Sequence, residues 1–184
     1  MKLLKNYLFE VNEIVSNIEL SLLHRAILLM DECAKRSGTL FIIGNGGSAS
    51  ISSHFSTDLV KAGYFRKKPI RAFSLVDNSS LLTATANDFS YADSFSWQIN
   101  EFAQTGDLLF AISSSGNSAN IQSAISRAKS LEIKTISLSG FDGGLISKNS
   151  DISLVTKSQL GSYGPVEDAH SIICHYIASE IKKL

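Results

Sequence analysis

Hydrophobic residues in the first part of the chain recur with helical spacing. From Leu8 to Leu29 they follow one another every three or four positions, and the residues between the early ones are mostly polar. This spacing places the apolar side chains on one face of a helix, so it predicts a helical arm over residues 1–36. Such a stripe packs either within its own domain or against a partner chain, and the pattern fits both.

Beyond Ser37-Gly38 the pattern changes to short apolar runs bounded by glycine, serine or charged residues. Runs of this length and composition predict strands. The predicted strands span 39–43, 70–75, 108–112, 134–138 and 152–155, and helix-like segments span 48–63, 78–86, 91–103, 118–130 and 165–183. The alternation predicts a parallel sheet with helices on both faces, a three-layer, doubly wound α/β core over 37–184. Since the sequence has no repeat, low-complexity tract or linker, we expect 1–184 to be one domain.

Composition narrows the class of protein without naming an activity. Seventeen basic and seventeen acidic residues give a formal net charge of +0, so total charge does not favour a nucleic-acid or membrane partner. Asn6 and Glu10 interrupt any apolar segment of a secretory signal. Cys33 and Cys174 lack metal-type spacing and are expected to be buried, reduced thiols. We therefore expect a cytoplasmic protein.

A glycine-rich loop follows the first predicted strand. Its sequence is Gly44-Asn45-Gly46-Gly47-Ser48. Glycines let backbone N–H groups approach a ligand closely, and ligands of parallel sheets lie at the carboxyl ends of the strands. A dinucleotide fingerprint would need an acidic residue about 20 positions later, where the chain has Tyr64 and Phe65. A tight strand-to-helix turn remains the alternative.

A serine-rich loop follows the third predicted strand and opens a predicted helix. Its sequence is Ser113-Ser114-Ser115-Gly116-Asn117-Ser118. Hydroxyls and free N–H groups at a helix N-terminus favour a phosphate or another oxyanion, although one serine would suffice as a simple helix cap. The loop has no lysine or arginine. A loop that binds an anion through hydrogen bonds alone suits a sugar phosphomonoester better than a triphosphate, which would need magnesium and a lysine.

Two helices carry candidate acid, base and metal-ligating side chains. His54 and Asp58 are four residues apart, which places them on one helical face. Glu167, His170 and His175 lie on the last predicted helix. Imidazoles and carboxylates together suit a divalent metal such as zinc, provided that the two helices meet. The alternatives are a surface hydrogen bond between His54 and Asp58, and a core or interface role for His170.

Taken together, these segments resemble the sugar-isomerase (SIS) domain, and more narrowly the phosphoheptose isomerase group. The resemblance covers nearly the whole chain. It rests on 44–48 with His54, on Asn87-Asp88-Phe89, on 112–118 and on 138–144. It implies a five-stranded, flavodoxin-like parallel sheet and a homotetramer with active sites at subunit interfaces. It also implies conversion of sedoheptulose 7-phosphate to D-glycero-D-manno-heptose 7-phosphate through a cis-enediol, for lipopolysaccharide or capsule precursors.

The same resemblance implies roles for individual residues. Asp58 and His175 would be catalytic. A zinc or other divalent ion would be held by His54, Asp58, Glu167 and His175. The phosphate would be held by Ser113, Ser114, Ser115 and Ser118, and the sugar contacted by Asn45, Gly46, Gly47, Asn87, Asp88 and Glu167.

Several positions depart from the isomerase pattern. Where the isomerases have a glutamate, this chain has Asp58. Their glutamine is replaced by Glu167 and one of their aspartates by Gly164. A sugar-contacting arginine is replaced by Ala62, where Lys61 or Arg66 could substitute. The alternative function is therefore a non-catalytic SIS protein that binds phosphosugars, similar to a replication initiator-associating tetramer. That relative lacks the helix acid and the final histidine, which this chain keeps, so an enzyme is favoured.

Overall fold

A computed structural model describes residues 2–184, which form eight α-helices and five strands. The helices are α1 (Lys2–Ser16), α2 (Leu20–Lys35), α3 (Gly47–Phe65), α4 (Ser79–Asp88), α5 (Ser94–Phe102), α6 (Ala119–Ser130), α7 (Gly144–Asn149) and α8 (Tyr163–Ile181). The strands are β1 (Thr39–Gly44), β2 (Arg71–Ser74), β3 (Leu108–Ser113), β4 (Lys134–Phe141) and β5 (Ile152–Lys157). A single 3₁₀ turn, Tyr91–Asp93, precedes α5.

The five strands form one parallel sheet in the order β2-β1-β3-β4-β5. The chain moves outward from β1 to β2 and then returns to the other side of β1, so the order reverses between β1 and β3. At such a reversal the loops after the two neighbouring strands diverge and leave room for a ligand. The two loops singled out from the sequence follow β1 and β3. The sheet confirms the doubly wound prediction.

Helices cover both faces of the sheet, and the side chains of β3 alternate between the two layers. Leu108, Phe110 and Ile112 join a cluster with α2, α3 and α8, whereas Leu109 and Ala111 join one with α5, α6 and α7. All six residues of β3 are buried. Burial on both faces explains why this strand has a continuous apolar run instead of an alternating one.

The predicted N-terminal arm consists of two helices. The first ends at Ser16, and the side-chain amide of Asn17 donates to the Glu13 carbonyl oxygen at 2.9 Å. A side-chain bond of this kind competes with continuation of the helix, which accounts for the break. Met30 and other apolar side chains of α2 belong to the main core, while Ile14 of α1 packs in a small cluster with α8.

A buried ion pair ties three helices together at the end of α3. The guanidinium of Arg66 donates to Asp31 Oδ1 of α2 at 2.6 Å and to the Ile181 carbonyl of α8 at 3.4 Å. The side chains of Arg66 and Asp31 are 2% and 3% exposed.

Both cysteines are buried, Cys33 on α2 and Cys174 on α8. Burial raises the pKa of the Cys33 thiol to about 11, and burial likewise raises the pKa of Cys174. Within residues 2–184, no helix is long and apolar enough to cross a membrane.

Candidate active site

The glycine-rich loop forms a sharp turn between β1 and α3. Gly46 has φ +54°, a left-handed conformation that favours glycine. Gly47 begins α3, and Ser52 Oγ of the second turn donates to the Ser48 carbonyl of the first turn at 2.8 Å. The loop therefore presents backbone at the carboxyl end of β1, as expected from the sequence.

The serine-rich loop folds back on itself at the start of α6. The N–H of Gly116 donates to the Ser113 carbonyl at 3.1 Å and lies 3.2 Å from Ser113 Oγ. Ser113 Oγ and Ser118 Oγ are 3.4 Å apart. The turn thus gathers the hydroxyls of the loop around the N-terminus of α6, where the helix dipole favours an anion.

Helix α7, which the sequence did not predict, holds the serine-rich loop in place. The N–H of Ile146 donates to the Gly116 carbonyl at 3.0 Å, and the N–H of Leu145 donates to Asn117 Oδ1 at 3.1 Å. A side chain at Gly116 would collide with the Gly143 carbonyl, so the two backbones approach as closely as glycines allow. The motif at 138–144 thereby supports the anion-binding loop.

The two loops enclose a cavity of about 270 Å³. It is lined by Asn45, Gly46, Gly47, Ser48, Ser113, Ser114, Ser115, Ser118, Tyr163 and Glu167. The buried hydroxyl of Ser114 has no hydrogen-bond partner among the described residues.

Helix α8 closes the cavity with two side chains. Glu167 was predicted from the sequence, and its carboxylate packs directly on Gly47 at the start of α3. Tyr163 was not predicted; it lies at the first position of α8 with its ring edge-on to Phe141, 5.2 Å between centroids. A lone tyrosine two residues before Pro165 gave no sequence signal for a ligand site.

A second group of predicted residues meets further along α3 and α8. His54 Nε2 and His175 Nε2 each lie 3.5 Å from Asp58 Oδ2. The two imidazole rings are 4.9 Å apart between centroids. The two helices do meet, so the condition that the sequence left open is fulfilled. A cavity of about 490 Å³ opens over this group, with Lys61 and Lys182 at its border.

The ligand atoms of His54, Asp58 and His175 all lie within 4.8 Å of one another, which fits a divalent ion. Two imidazoles and a carboxylate are donors that zinc accepts, and a partly exposed site leaves a position for substrate. Glu167, expected from the resemblance as a fourth ligand, is not in this group and lies instead at the cavity between the loops. Two helical turns on α8 separate it from His175.

Three further sequence expectations concern the surroundings of the site. Asn87 and Asp88 end helix α4 and do not line the cavity; the Asn87 amide donates to Asp88 Oδ1 at 2.9 Å. Arg66 cannot substitute for the missing sugar-contacting arginine, because its guanidinium is buried against Asp31. Lys61 borders the cavity over His54 and remains available.

His170 takes the core role that was one of its two alternatives. Its Nε2 lies 2.9 Å from Thr156 Oγ1 of β5, and the residue is fully buried. Burial lowers the pKa of His170 to about 4. The imidazole is therefore neutral at physiological pH.

Comparisons with known proteins identify the family to which the chain belongs. A family model described as SIS domain matches residues 6–140. The phosphoheptose isomerase of Helicobacter pylori is 36% identical over 161 residues, covering 88% of this chain and 83% of that protein. A probable phosphoheptose isomerase of Thermoplasma volcanium is 41% identical over 146 residues, covering 78% of this chain and 72% of that protein.

Solved structures extend the likeness to three dimensions. The phosphoheptose isomerase of Neisseria gonorrhoeae superposes with a TM-score of 0.87 at 28% identity, covering 96% of this chain and 93% of that one. The Francisella tularensis protein of the same description has a TM-score of 0.89 at 24% identity, with 100% and 97% covered, and supports the fold. The serine-rich loop, the two histidines with Asp58 and these likenesses place the chain in the phosphoheptose isomerase family of SIS-domain proteins.

Proposed function

We propose that this protein interconverts sedoheptulose 7-phosphate and D-glycero-D-manno-heptose 7-phosphate. The observation that carries the proposal is the convergence of His54, Asp58 and His175 on the same two helices that border the serine-lined cavity. An isomerase needs a phosphate anchor at one end of its substrate and acid–base groups at the other. A protein that only binds phosphosugars has no need for the second group.

The distance between the two groups supports a seven-carbon substrate. His54 follows Gly47 by seven residues on α3, and His175 follows Glu167 by eight on α8. At the helical rise per residue, these intervals correspond to about 10 to 12 Å. An extended seven-carbon chain with a terminal phosphate spans on the order of 10 Å, given ordinary carbon–carbon bond lengths. A phosphate in the serine-rich loop would therefore bring the carbonyl end of the sugar towards His54 and His175.

Asp58 and His175 are the proposed acid–base pair. In the ketose-to-aldose direction, Asp58 removes a proton from C1 while His175 gives a proton to the C2 oxygen, which forms the cis-enediol. Asp58 then returns its proton to C2, and His175 takes the proton of the C1 hydroxyl, which leaves the aldehyde at C1. Asp58 Oδ2 faces both imidazoles, and a carboxylate keeps a second oxygen for proton transfer.

Zinc is the metal we propose for the group formed by His54, Asp58 and His175. The chemistry that a bound divalent ion supplies here is polarisation of the carbonyl and hydroxyl oxygens of the sugar. Both histidines contact the carboxylate of Asp58, and each Nε2 lies 3.5 Å from Asp58 Oδ2. This grouping of two imidazoles and one carboxylate is the part of the site that the chain itself provides.

An isomerase assay with sedoheptulose 7-phosphate tests the proposed function. We expect turnover by the wild type and a loss of at least about a hundredfold in kcat for Asp58→Ala and His175→Ala, because each removes one member of the acid–base pair. His24→Ala, an exposed histidine on α2, is the matched control and keeps wild-type turnover. Equal activity of Asp58→Ala and wild type would exclude the proposed base.

We also propose a homotetramer. Several large apolar side chains of α1 are exposed in the single chain, including Leu3 at 84% and Phe9 at 66%. Apolar surface of this kind on one helix is typical of subunit interfaces. Light scattering coupled to size-exclusion chromatography measures the mass directly, and a mass of one chain at micromolar concentration would contradict the proposal.

A further inference from the structure

The buried side chain of Asn120 joins the two loops that form the cavity. Asn120 is the second residue of α6 and is 2% exposed. Its amide pairs reciprocally with that of Asn45, with Asn45 Nδ2 donating to Asn120 Oδ1 at 2.8 Å and Asn120 Nδ2 donating to Asn45 Oδ1 at 2.9 Å. A residue just after the serine-rich loop is thus bonded to a residue of the glycine-rich loop.

The orientation of both amides is fixed by a backbone donor. The N–H of Ile121 donates to Asn120 Oδ1 at 3.0 Å, so the oxygen of Asn120 must lie on that side. The same oxygen accepts from Asn45, which means that the nitrogen of Asn45 points toward Asn120. Neither amide can turn over without placing two donors or two acceptors against each other.

Tyr91 completes the arrangement from the 3₁₀ turn before α5. Its hydroxyl donates to Asn45 Oδ1 at 2.8 Å. Both lone pairs of this oxygen are therefore used, one by Tyr91 and one by Asn120. The amide of Asn45 keeps a single unused N–H. Asn45 lines the cavity, so the group that it offers to a ligand is a donor and not an acceptor.

We propose that Asn120 and Tyr91 are positioning residues that act through Asn45. They hold the glycine-rich and serine-rich loops at a fixed separation and turn the free N–H of Asn45 toward an oxygen of the phosphorylated ligand. The proposal rests on the proposed function in taking a sugar phosphate as that ligand. A site preorganised in this way binds phosphate more tightly, because the ordering of the loops is complete before the ligand arrives.

We call the hydrogen-bonded side chains of Asn45, Asn120 and Tyr91 the clamp. Loss of the clamp is expected to change the kinetic constants differently from loss of a catalytic acid or base. Of its three side chains only Asn45 lines the cavity between the loops, and none belongs to the group formed by His54, Asp58 and His175. Its interactions are made equally with bound substrate and with the transition state, so their removal raises KM and leaves kcat nearly unchanged. A residue needed only for folding would lower the melting temperature without changing the affinity of the folded protein.

Phosphate affinity and isomerase kinetics of Asn120→Ala and Tyr91→Phe test the proposal. With inorganic phosphate as the probe in titration calorimetry, we expect the dissociation constant to rise about tenfold for Asn120→Ala and about threefold for Tyr91→Phe. The KM for sedoheptulose 7-phosphate rises in parallel, while kcat stays within about twofold. Tyr64→Phe, an exposed tyrosine on α3, is the matched control for removal of a hydroxyl.

Tyr91 is half exposed, so we expect the Tyr91→Phe variant to fold. Its phosphate affinity therefore tests the proposal even if Asn120→Ala does not fold. If the folded Tyr91→Phe and Asn120→Ala variants bind phosphate with wild-type affinity, the proposal that Asn120 and Tyr91 position Asn45 is wrong. A wild type that binds phosphate but does not turn over the heptose phosphate would overturn the isomerase proposal alone, and the phosphate titrations would still judge the clamp.

Discussion

The carboxylate of Glu167 occupies the space into which any side chain at residue 47 would project. A Cβ atom built on Gly47 would collide with both carboxylate oxygens. Gly47 is the first residue of α3, and a negative charge at this end of a helix is favourable. The contact joins the start of α3 to α8 at the edge of the serine-lined cavity, so it sets both the shape and the charge of the proposed sugar site.

We expect Gly47→Ala to push the carboxylate of Glu167 aside and to change the free energy of unfolding by less than about 1 kcal/mol, because the end of this flexible side chain can move into the cavity and alanine favours the helix. The double variant Gly47→Ala/Glu167→Ala provides the control, since removal of the carboxylate makes room for the methyl group. Denaturant unfolding of the four proteins in this cycle measures the coupling. Strictly additive free energies of unfolding would show that the two residues do not compete for space.

The buried ion pair between Arg66 and Asp31 predicts a large effect on stability. We expect Asp31→Ala to cost about 3 to 5 kcal/mol, because it leaves the guanidinium of Arg66 buried without a counter-charge. Lys35 also contacts Asp31 at 2.6 Å but is 55% exposed. Lys35→Ala is therefore the matched control, with an expected loss below about 1 kcal/mol. Chemical denaturation measures the free energy of unfolding of both variants. Equal losses in Asp31→Ala and Lys35→Ala would show that the buried pair with Arg66 does not cause the effect.

Metal content distinguishes a three-residue site from a four-residue one. We expect the purified protein to carry one divalent ion per chain, and His54→Ala and Asp58→Ala to lose it, because each removes one of the donor atoms that lie within 4.8 Å of one another. Glu167→Ala keeps the ion, since Glu167 lies at the other cavity. Elemental analysis by mass spectrometry gives the stoichiometry. Loss of metal from Glu167→Ala would restore Glu167 to the ligand set.

Stability is expected to fall in mild acid because of His170. Burial lowers its pKa from 6.5 to about 4, so the folded protein resists protonation that the unfolded chain accepts. The neutral imidazole contributes its full stability above pH 6.5, and this contribution decreases as the pH falls from 6.5 towards 4. A shift of this size corresponds to about 3 kcal/mol.

Unfolding free energies measured between pH 7 and pH 4 check this prediction, with His170→Gln as the comparison. Glutamine keeps a side-chain donor for Thr156 but does not titrate. We expect a smaller slope with pH in His170→Gln than in the wild type. Identical slopes would show that other groups cause the acid sensitivity.

The sequence was sufficient for the sheet and for the two loops, because both depend on local patterns. The buried strand β3 has a continuous apolar run, and Ser113 to Ser118 stand directly after it. Helix α7 and the end of β4 were not predicted, because the local pattern of these residues is typical of loops. Ser139 and Gly140 look like loop residues, yet they lie in the strand, and Gly143-Gly144 look like a turn but begin a helix.

Residues whose roles depend on tertiary contacts could not be found in this way. Asn120 and Tyr91 have no unusual spacing, and only the fold brings them to Asn45. Arg66 looked like a possible sugar contact because exposed and buried arginines are identical in sequence. The meeting of His54 with His175 depends on the packing of α3 against α8, which helical spacing alone does not determine.

The two buried thiols can report local unfolding of the helices that carry them. Cys33 is 1% exposed and Cys174 is 2% exposed, one on α2 and the other on α8. A thiol reagent reaches them only when a helix leaves the sheet, and burial further suppresses the reactive thiolate. The rate of labelling therefore reports how often each helix detaches. Because Cys174 precedes His175, its labelling follows the integrity of the group formed by His54, Asp58 and His175 in a protein that carries no added probe.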